Sequence, residues 1–313
     1  MANKFKIPLA PVVGVVAGQT ATLEIPIGPR YHVIWLEGTV TKATNAPVVY
    51  DAFGLITVKI NGKPVRTHTA AEINAMNTLM GASFAATCTP STTTASPITF
   101  RLPLFFCEPW RKQYAETDAM AWPTSFAGGK QVGSFQIEIE VPPATPVTGE
   151  TAGARTAPSI QAFCEIDNRI GAVDANGNPI LNISKWNRLT VPYTGTDDCY
   201  ITTLPRREIY QQISISQGTD AITSVVVKVD GAIIHDATKA RNDVTITARE
   251  MNPNGTVSTR YDLVFDYDDD PKSALLMQYG TASVQDFQVI PKMATANASA
   301  KILTLLLNTY GPV

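Results

Sequence analysis

Four aspartates, Asp266, Asp268, Asp269 and Asp270, crowd into the run FDYDDDPK, the densest charge cluster in the chain. Carboxylate oxygens at this spacing suit a hard cation such as Ca²⁺, which would offset their mutual repulsion and act as a structural ion. The run lacks the glycine and the distal glutamate of an EF-hand loop, so a solvated loop at a strand end is the competing reading. A second acidic stretch, DANGN at 174–178, places Lys185 twelfth in the calcium frame, where a glutamate is required, and reads as a turn.

Nothing else in the sequence assembles into a reactive centre. The three histidines, His32, His68 and His235, stand in unrelated contexts, with no GxSxG elbow and no HExxH spacing. Cys88, Cys107, Cys164 and Cys199 are far apart and form no CxxC pair, which points to reduced thiols rather than a zinc site or a disulfide framework. Arg111-Lys112 and Arg206-Arg207 are the adjacent basic pairs, suited to a surface rim or, secondarily, to phosphate or headgroup contact. Trp110 and Tyr114 are spaced i,i+4 and read as the packing face of a helix. Paired carboxylates for glycoside hydrolysis meet only in space and have no address in a sequence. A carbohydrate-binding sandwich or glycoside hydrolase is therefore the alternative reading, with Trp35, Trp110, Trp122 or Trp186 stacking on sugar rings.

The elements that would position these residues are mostly strands. ATLEIPI, YHVIWLE, LITVKI, PITFRLPLFF and SFQIEIEV alternate or run apolar over strand length between Gly, Pro, Asn and Thr-rich breaks. SFQIEIEV is the clearest, with Phe135, Ile137, Ile139 and Val141 on one face. Thr69-Ala70-Ala71-Glu72 is a capping box opening a helix through Met80, and a second helix is expected over Glu108–Trp122. The run VPPATPVTGETAGARTAP, from Val141 to Pro158, has no apolar period and reads as a linker. Strands resume beyond it with SIQAFCEI, YQQISIS, AITSVVVKV, RYDLVFDY and AKILTLLL. The expected organisation is an N-terminal domain over 1–145, a linker at 146–158 and a C-terminal domain over 159–313.

The two halves look like copies. Pro26 and Tyr31 in IPIGPRY match Pro205 and Tyr210 in LPRREIY, and VKINGKPV matches VKVDGAII. Asn61-Gly62 then falls on Asp230-Gly231, the two best dipeptides for a type I′ hairpin. FQIEIEV and KILTLLL stand as the closing strands of the two halves. About eight strands per half fit an all-β duplication, two tandem eight-stranded jelly-roll sandwiches with a few short helices.

Composition narrows the function. Of 313 residues, 44% are apolar and 17% charged, with a formal charge of −2 and a pI near 6.0. This is enough apolar material for real cores, and it offers no basic field to hold a nucleic-acid backbone. The longest apolar stretch, Leu9–Ala17, is broken by Pro11 and Gly14 and falls short of a membrane span. A low charged fraction without a span is what a chain shows when much of its surface meets copies of itself.

The ordered series LEIPIGPRYHVIWLEG, VKINGKPVRTHTAAEINAMNTL, ITFRLPLFFCEPWRKQYAETDAMAWPT and FQIEIEV resembles the first half of the major capsid protein of corticovirus-type phages, tailless icosahedral phages with an internal membrane. LPRREIYQQISIS, VVVKVDGAIIHD and YDLVFDY resemble its second barrel, so the resemblance runs from about Thr20 to Tyr310. It implies a double jelly roll and a non-enzymatic capsid protein, made in the host cytoplasm and resident in the virion. Homotrimers would form pseudo-hexagonal capsomers, and these would tile a shell over the lipid and meet minor capsid and penton proteins. It implies peripheral contact with the internal membrane, for which Lys4 and Lys6 in the N-terminal segment are the candidates, and no sequence-specific nucleic acid. Calcium is implied for some members of the group, without a residue-by-residue match to Asp266, Asp268, Asp269 and Asp270.

Overall fold

The computed structural model describes residues 4–89, 95–111, 117–145, 153–195, 198–206, 208–218, 220–253, 259–265, 274–276, 278–279, 282–294 and 297–313. The chain divides into two compact units, one of residues 1–183 with 312–313 and one of residues 184–311. Each is a sandwich with its own apolar core.

In the first unit, one sheet has the order β1 (Phe5–Pro8), β10 (Arg155–Asp167), β3 (Arg30–Lys42), β7 (Pro97–Phe105), β6 (Thr87–Thr89), with β8 (Trp122–Pro123) also on β3. The facing sheet has the order β5 (Lys63–Thr69), β4 (Leu55–Ile60), β9 (Phe135–Glu140), β2 (Thr20–Glu24). The alternation read in SFQIEIEV is realised on β9: Phe135, Ile137 and Ile139 are buried, and Val141 just beyond them is too. β4 supplies Ile56, Val58 and Ile60 to the same layer, because side chains two apart on a strand share a face.

In the second unit, β11 (Asn182–Gly195), β20 (Asn297–Pro312), β12 (Ile209–Ser216) and β15 (Arg260–Val264) are neighbours in that order, with β16 (Leu275–Leu276) also on β12. Opposite lie β14 (Ala232–Thr238), β13 (Ile222–Val229) and β19 (Phe287–Met293), whose outer side is bridged by Asp198 and Ile201. β17 (Gln278–Tyr279) and β18 (Ala282–Ser283) form a small ribbon. Leu303, Leu305 and Leu307 of β20 are buried while Ile302 points outward, so the strand's alternation places the odd-numbered leucines in the core.

Taken strand by strand, the units share one order: β1, β10, β3, β7 against β2, β9, β4, β5 in the first, and β11, β20, β12, β15 against the 198–201 segment, β19, β13, β14 in the second. That is the double Greek-key wiring of a jelly roll, present twice. The repetition extends to single hydrogen bonds. Tyr31 donates its hydroxyl to the Pro26 carbonyl at 2.6 Å, and Tyr210 to the Pro205 carbonyl at 2.7 Å. Asn61 and Asp230 both hold positive φ at their hairpin tips, 51° and 47°, each followed by a glycine at positive φ. Each also accepts two backbone amides at the approach to the next strand: Asn61 Oδ1 from Gly133 and Ser134, Asp230 Oδ1 from Gln285 and Asp286. The hairpins lead into helices Ala70–Met80 and Lys239–Thr247, capped by Thr69 and Thr238. From these, Asn77 and Asn242 reach the carbonyls of Pro103 and Asp262.

Two expectations shift. The run at 141–158 is not the boundary: Arg155 already lies in β10, which pairs with β3 from Arg155–Lys42 to Asp167–Arg30, so the strand expected to open the second half closes the first. The boundary therefore moves from 146–158 to the end of the first unit at Ile183. A Pro- and Thr-rich loop between the last two strands of a sandwich has the composition of a linker, which is why sequence alone misplaces it. Equally, the partner of FQIEIEV is not KILTLLL but FQVIPKM in β19, since β9 pairs with β4 as β19 pairs with β13. KILTLLL in β20 corresponds to β10. Part of the helix expected over Glu108–Trp122 lies outside the described residues, which also removes Tyr114 from view; Trp110 packs edge-on against Phe84 and Phe105.

Candidate functional site

The aspartates read as a cation run, Asp266, Asp268, Asp269 and Asp270, lie outside the described residues. They follow Phe265, which is buried just past the end of β15. Among the described residues no three carboxylate, histidine or cysteine side chains group as a metal site would. DANGN is a turn: Asp174 Oδ1 accepts the amides of Asn176 and Asn178 at 2.9 and 2.7 Å, bonds that hold its carboxyl below the usual range. Trp122 and Trp186 are buried, and Trp35 lies beneath the Lys6 ammonium, 5.4 Å from the ring centroid. These rings do not form a sugar-stacking platform.

Two clusters of buried charged groups in the first unit have a well-defined geometry. Lys42 and Arg155 are cross-strand partners, and like charges placed directly opposite repel. Asp51, on the short helix Val49–Ala52, resolves this by standing between them: Lys42 Nζ donates to its two oxygens at 3.1 and 2.9 Å, and Arg155 Nε donates to Oδ1 at 2.7 Å. The same carboxylate accepts the Val48 amide at 2.9 Å. All three side chains are essentially inaccessible. The triad fastens the start of β10 to the end of β3 and has no exposed face, so its work is structural.

A second cluster surrounds His32, a residue set aside in the sequence as a lone histidine. Its Nε2 lies 2.9 Å from Asp167 Oδ2 and its Nδ1 lies 3.3 Å from Asp118 Oδ1. Arg30 grips Asp167 with two bonds of 3.1 and 2.6 Å. Burial acts to push the Asp167 carboxyl up, but hydrogen bonds from Arg30, the Arg169 amide and His32 outweigh it and bring it down to about 2. Lys4 reaches in from the N-terminal segment to Asp118, at 2.7 Å, and to Glu165. No sequence spacing signals this group, because its members are separated by up to 163 positions and meet only where β1, β10 and β3 pair beside the segment that carries Asp118, between β7 and β8. Nearby, Arg66 stacks over Phe106 and Trp122, and burial alone lowers its guanidinium to about 9.

Cys107 and Cys164 are buried, which pushes their thiols up to about 12 and 11, so neither is poised as a nucleophile. His235 on β14 bonds to the Tyr261 hydroxyl at 2.9 Å, and burial lowers its pKa. What the surface does offer is apolar. Phe5, Ile7, Val13 and Val16 are exposed in the first unit, and Ile233, Ile234 and Val244 on β14 and the helix after it in the second. Ile234 is 44% exposed, whereas Val65, at the matching place in the first hairpin, is 4% exposed. Scattered apolar residues are ordinary, but several on neighbouring elements are what a contact surface shows.

No curated protein sequence matches the chain. Among solved structures, the major capsid protein P2 from bacteriophage PM2 is similar with a TM-score of 0.71 and 15% identity, over 99% of this chain and 98% of that one. The capsid of the virus PBCV-1 is similar with a TM-score of 0.66 and 12% identity, over 99% and 94%. A chain of Sulfolobus turreted icosahedral virus gives 0.66 and 12%, over 98% and 90%. These likenesses establish the double jelly-roll fold. The model of the viral coat protein P2 N-terminal domain matches residues 6–167, and that of the P2 C-terminal domain matches residues 183–310, so the second match begins at the boundary seen in the fold. Two domain models in tandem, over a duplicated jelly roll, place the chain in the viral coat protein P2 family, as a non-enzymatic structural component of the virion capsid.

Proposed function

We propose that the chain is the shell-forming unit of an icosahedral particle, associating as a homotrimer whose six jelly rolls make a pseudo-hexagonal capsomer. The observation that carries this reading is the duplication, down to the matched Tyr31 and Tyr210, Asn61 and Asp230, and Asn77 and Asn242 bonds. A chain with two near-equivalent wedges fills a six-fold lattice position with three copies, where a single jelly roll would need six. The exposed apolar residues of β14 and its following helix, Ile233, Ile234 and Val244, are suited to the contacts between copies. Minor capsid and penton proteins would meet the lattice where its symmetry changes, and the N-terminal segment, with Lys6 and the exposed Phe5 and Ile7, would touch an internal membrane peripherally.

The test is the mass of the purified protein by light scattering, followed by electron microscopy of assembled particles. A stable species of three times the 33.7 kDa chain mass supports the reading. A monomer at all concentrations, with no lattice formed, refutes it.

A further inference from the structure

β1 is held to the first unit by charge more than by burial. Among the described residues it is an edge strand that pairs with β10 (Phe5 opposite Ile166, Ile7 opposite Cys164), and all four of its residues are exposed. Little apolar area is removed from water to keep it there. Its anchor is Lys4, immediately upstream, whose Nζ lies 2.7 Å from Asp118 Oδ1 and 3.5 Å from Glu165 Oε1; Lys6 adds a longer 3.8 Å contact to Glu165.

The anchor point is shared. His32 on β3 is completely buried, and its Nδ1 faces the same Asp118 Oδ1 that Lys4 grips. Its other nitrogen bonds Asp167 on β10, which Arg30 on β3 also holds. The Cys107 amide, on the segment after β7, donates to the His32 carbonyl, and its thiol is kept neutral by burial. The charged groups around the ring are thus Lys4 and Arg30 on one side of the balance, and Asp118, Asp167 and the more distant Glu165 on the other. A neutral imidazole donates one N–H, to Asp167, and leaves Asp118 to Lys4. A proton added at Nδ1 would compete with Lys4 for Asp118 Oδ1 and would bring a third cation beside Lys4 and Arg30.

We propose that Lys4, Asp118 and His32 form an acid-released clamp that holds β1 on the edge of β10. Burial, aided by Lys4 and opposed by the two aspartates, keeps His32 in the closed clamp below its ordinary value of 6.5. Lifting Lys4 removes a cation that lowers the His32 pKa and leaves Asp118 Oδ1 to the ring, so the open state takes up the proton more readily. The opening equilibrium therefore rises as the pH falls, because the open form binds the proton more tightly than the closed one. Opening frees an amphipathic segment carrying Lys4, Phe5, Lys6 and Ile7, and bares the backbone edge of β10 to another strand.

Hydrogen exchange of the intact protein, read by mass spectrometry and corrected for the intrinsic rate, tests this at pH 7.5 and 5.0. The peptide covering β1 should lose protection at the lower pH, while the β9 peptide, in the core, keeps its own. In His32→Gln, whose amide can still donate to Asp167 but cannot titrate, the loss should disappear. Native β1 protection that is independent of pH, or the same loss in His32→Gln, overturns the proposal. Should His32→Gln fail to fold, Lys4→Met decides: exposed β1 at both pH values supports the clamp, and undiminished, pH-dependent protection refutes it.

Discussion

Replacing Asp51 by alanine should be among the most damaging single changes in the first unit. The carboxylate is bonded to both Lys42 and Arg155 in a site whose side chains are 0–3% exposed, and the two cations are cross-strand partners. Its removal leaves two buried cations facing one another, together with the Val48 amide that it also satisfied. Removing one partner of a buried pair typically costs about 3–5 kcal/mol, because the remaining charge loses its compensation without regaining water. A whole domain is commonly stable by only about 5–15 kcal/mol. Lys42→Met is the informative contrast. It takes away one of two cations, keeps the Asp51–Arg155 bond and fills the stem's volume, so it should cost about 1 kcal/mol or less. Urea denaturation followed by tryptophan fluorescence is the appropriate assay, since Trp35, Trp110 and Trp122 all lie in the first unit. Asp51→Ala within 1 kcal/mol of the native protein, or Lys42→Met as costly as Asp51→Ala, would refute the account of one anion neutralising two opposed cations.

Asn61→Ala and Asp230→Ala each remove an acceptor for two backbone amides and a side chain that tolerates positive φ, and should each cost about 1–3 kcal/mol; denaturation of the two variants checks whether the hairpins contribute alike. Asp167 titrates at about 2 in the folded chain against 3.8 unperturbed, so its contribution is complete above pH 3.8 and is lost as the pH falls toward 2. Asp167→Asn should therefore flatten the acid limb of a melting-temperature profile in that window, and an unchanged limb would dismiss the Arg30 and His32 bonds as its cause. A structural calcium at Asp266, Asp268, Asp269 and Asp270 would bind only the folded form and raise the melting temperature at millimolar calcium; an unchanged melting temperature in Asp→Asn variants and native protein alike removes the ion. Deleting Met1–Lys6 should leave the oligomer intact and lower the yield of membrane-containing particles, and an unaltered yield would dismiss the lipid contact.

Much of the fold was legible because its cues are local. Alternation in FQIEIEV reports one buried face, Thr69 with Glu72 reports a helix start, and Asn61-Gly62 and Asp230-Gly231 report hairpins; all depend on residues a few positions apart. The boundary was not legible, because whether Arg155–Asp167 closes the first sandwich or opens the second depends on its pairing with β3, more than a hundred residues upstream. Composition cannot distinguish a loop between two strands of one sandwich from a linker between two sandwiches. The same limit hid the charged clusters. His32, Asp118 and Asp167 have no common motif, and Lys42, Asp51 and Arg155 are joined only by strand register. The exposed face of β14 was equally invisible, since VKVDGAII and VKINGKPV carry one hairpin pattern but leave Ile234 bare and Val65 covered.

The N-terminal segment is where assembly and electrostatics meet. Read as sequence, Lys4 and Lys6 are equivalent basic residues available to headgroups. In the fold they differ, because Lys4 is bonded to Asp118 and its pKa is raised, burial being outweighed by that bond, while the Lys6 side chain is 72% exposed. One exposed lysine near an anionic surface contributes about 1 kcal/mol, too little to hold one copy but enough when many copies act on one vesicle. Lys4 can join it only by leaving Asp118. A membrane contact made with the clamp closed therefore rests on Lys6, Phe5 and Ile7, whereas one made with it open engages both lysines and strengthens as the pH falls. Binding of the protein to anionic vesicles should consequently depend on Lys6 at neutral pH and acquire a dependence on Lys4 only in acid; equal dependence on both lysines at neutral pH would show that Asp118 does not restrain Lys4.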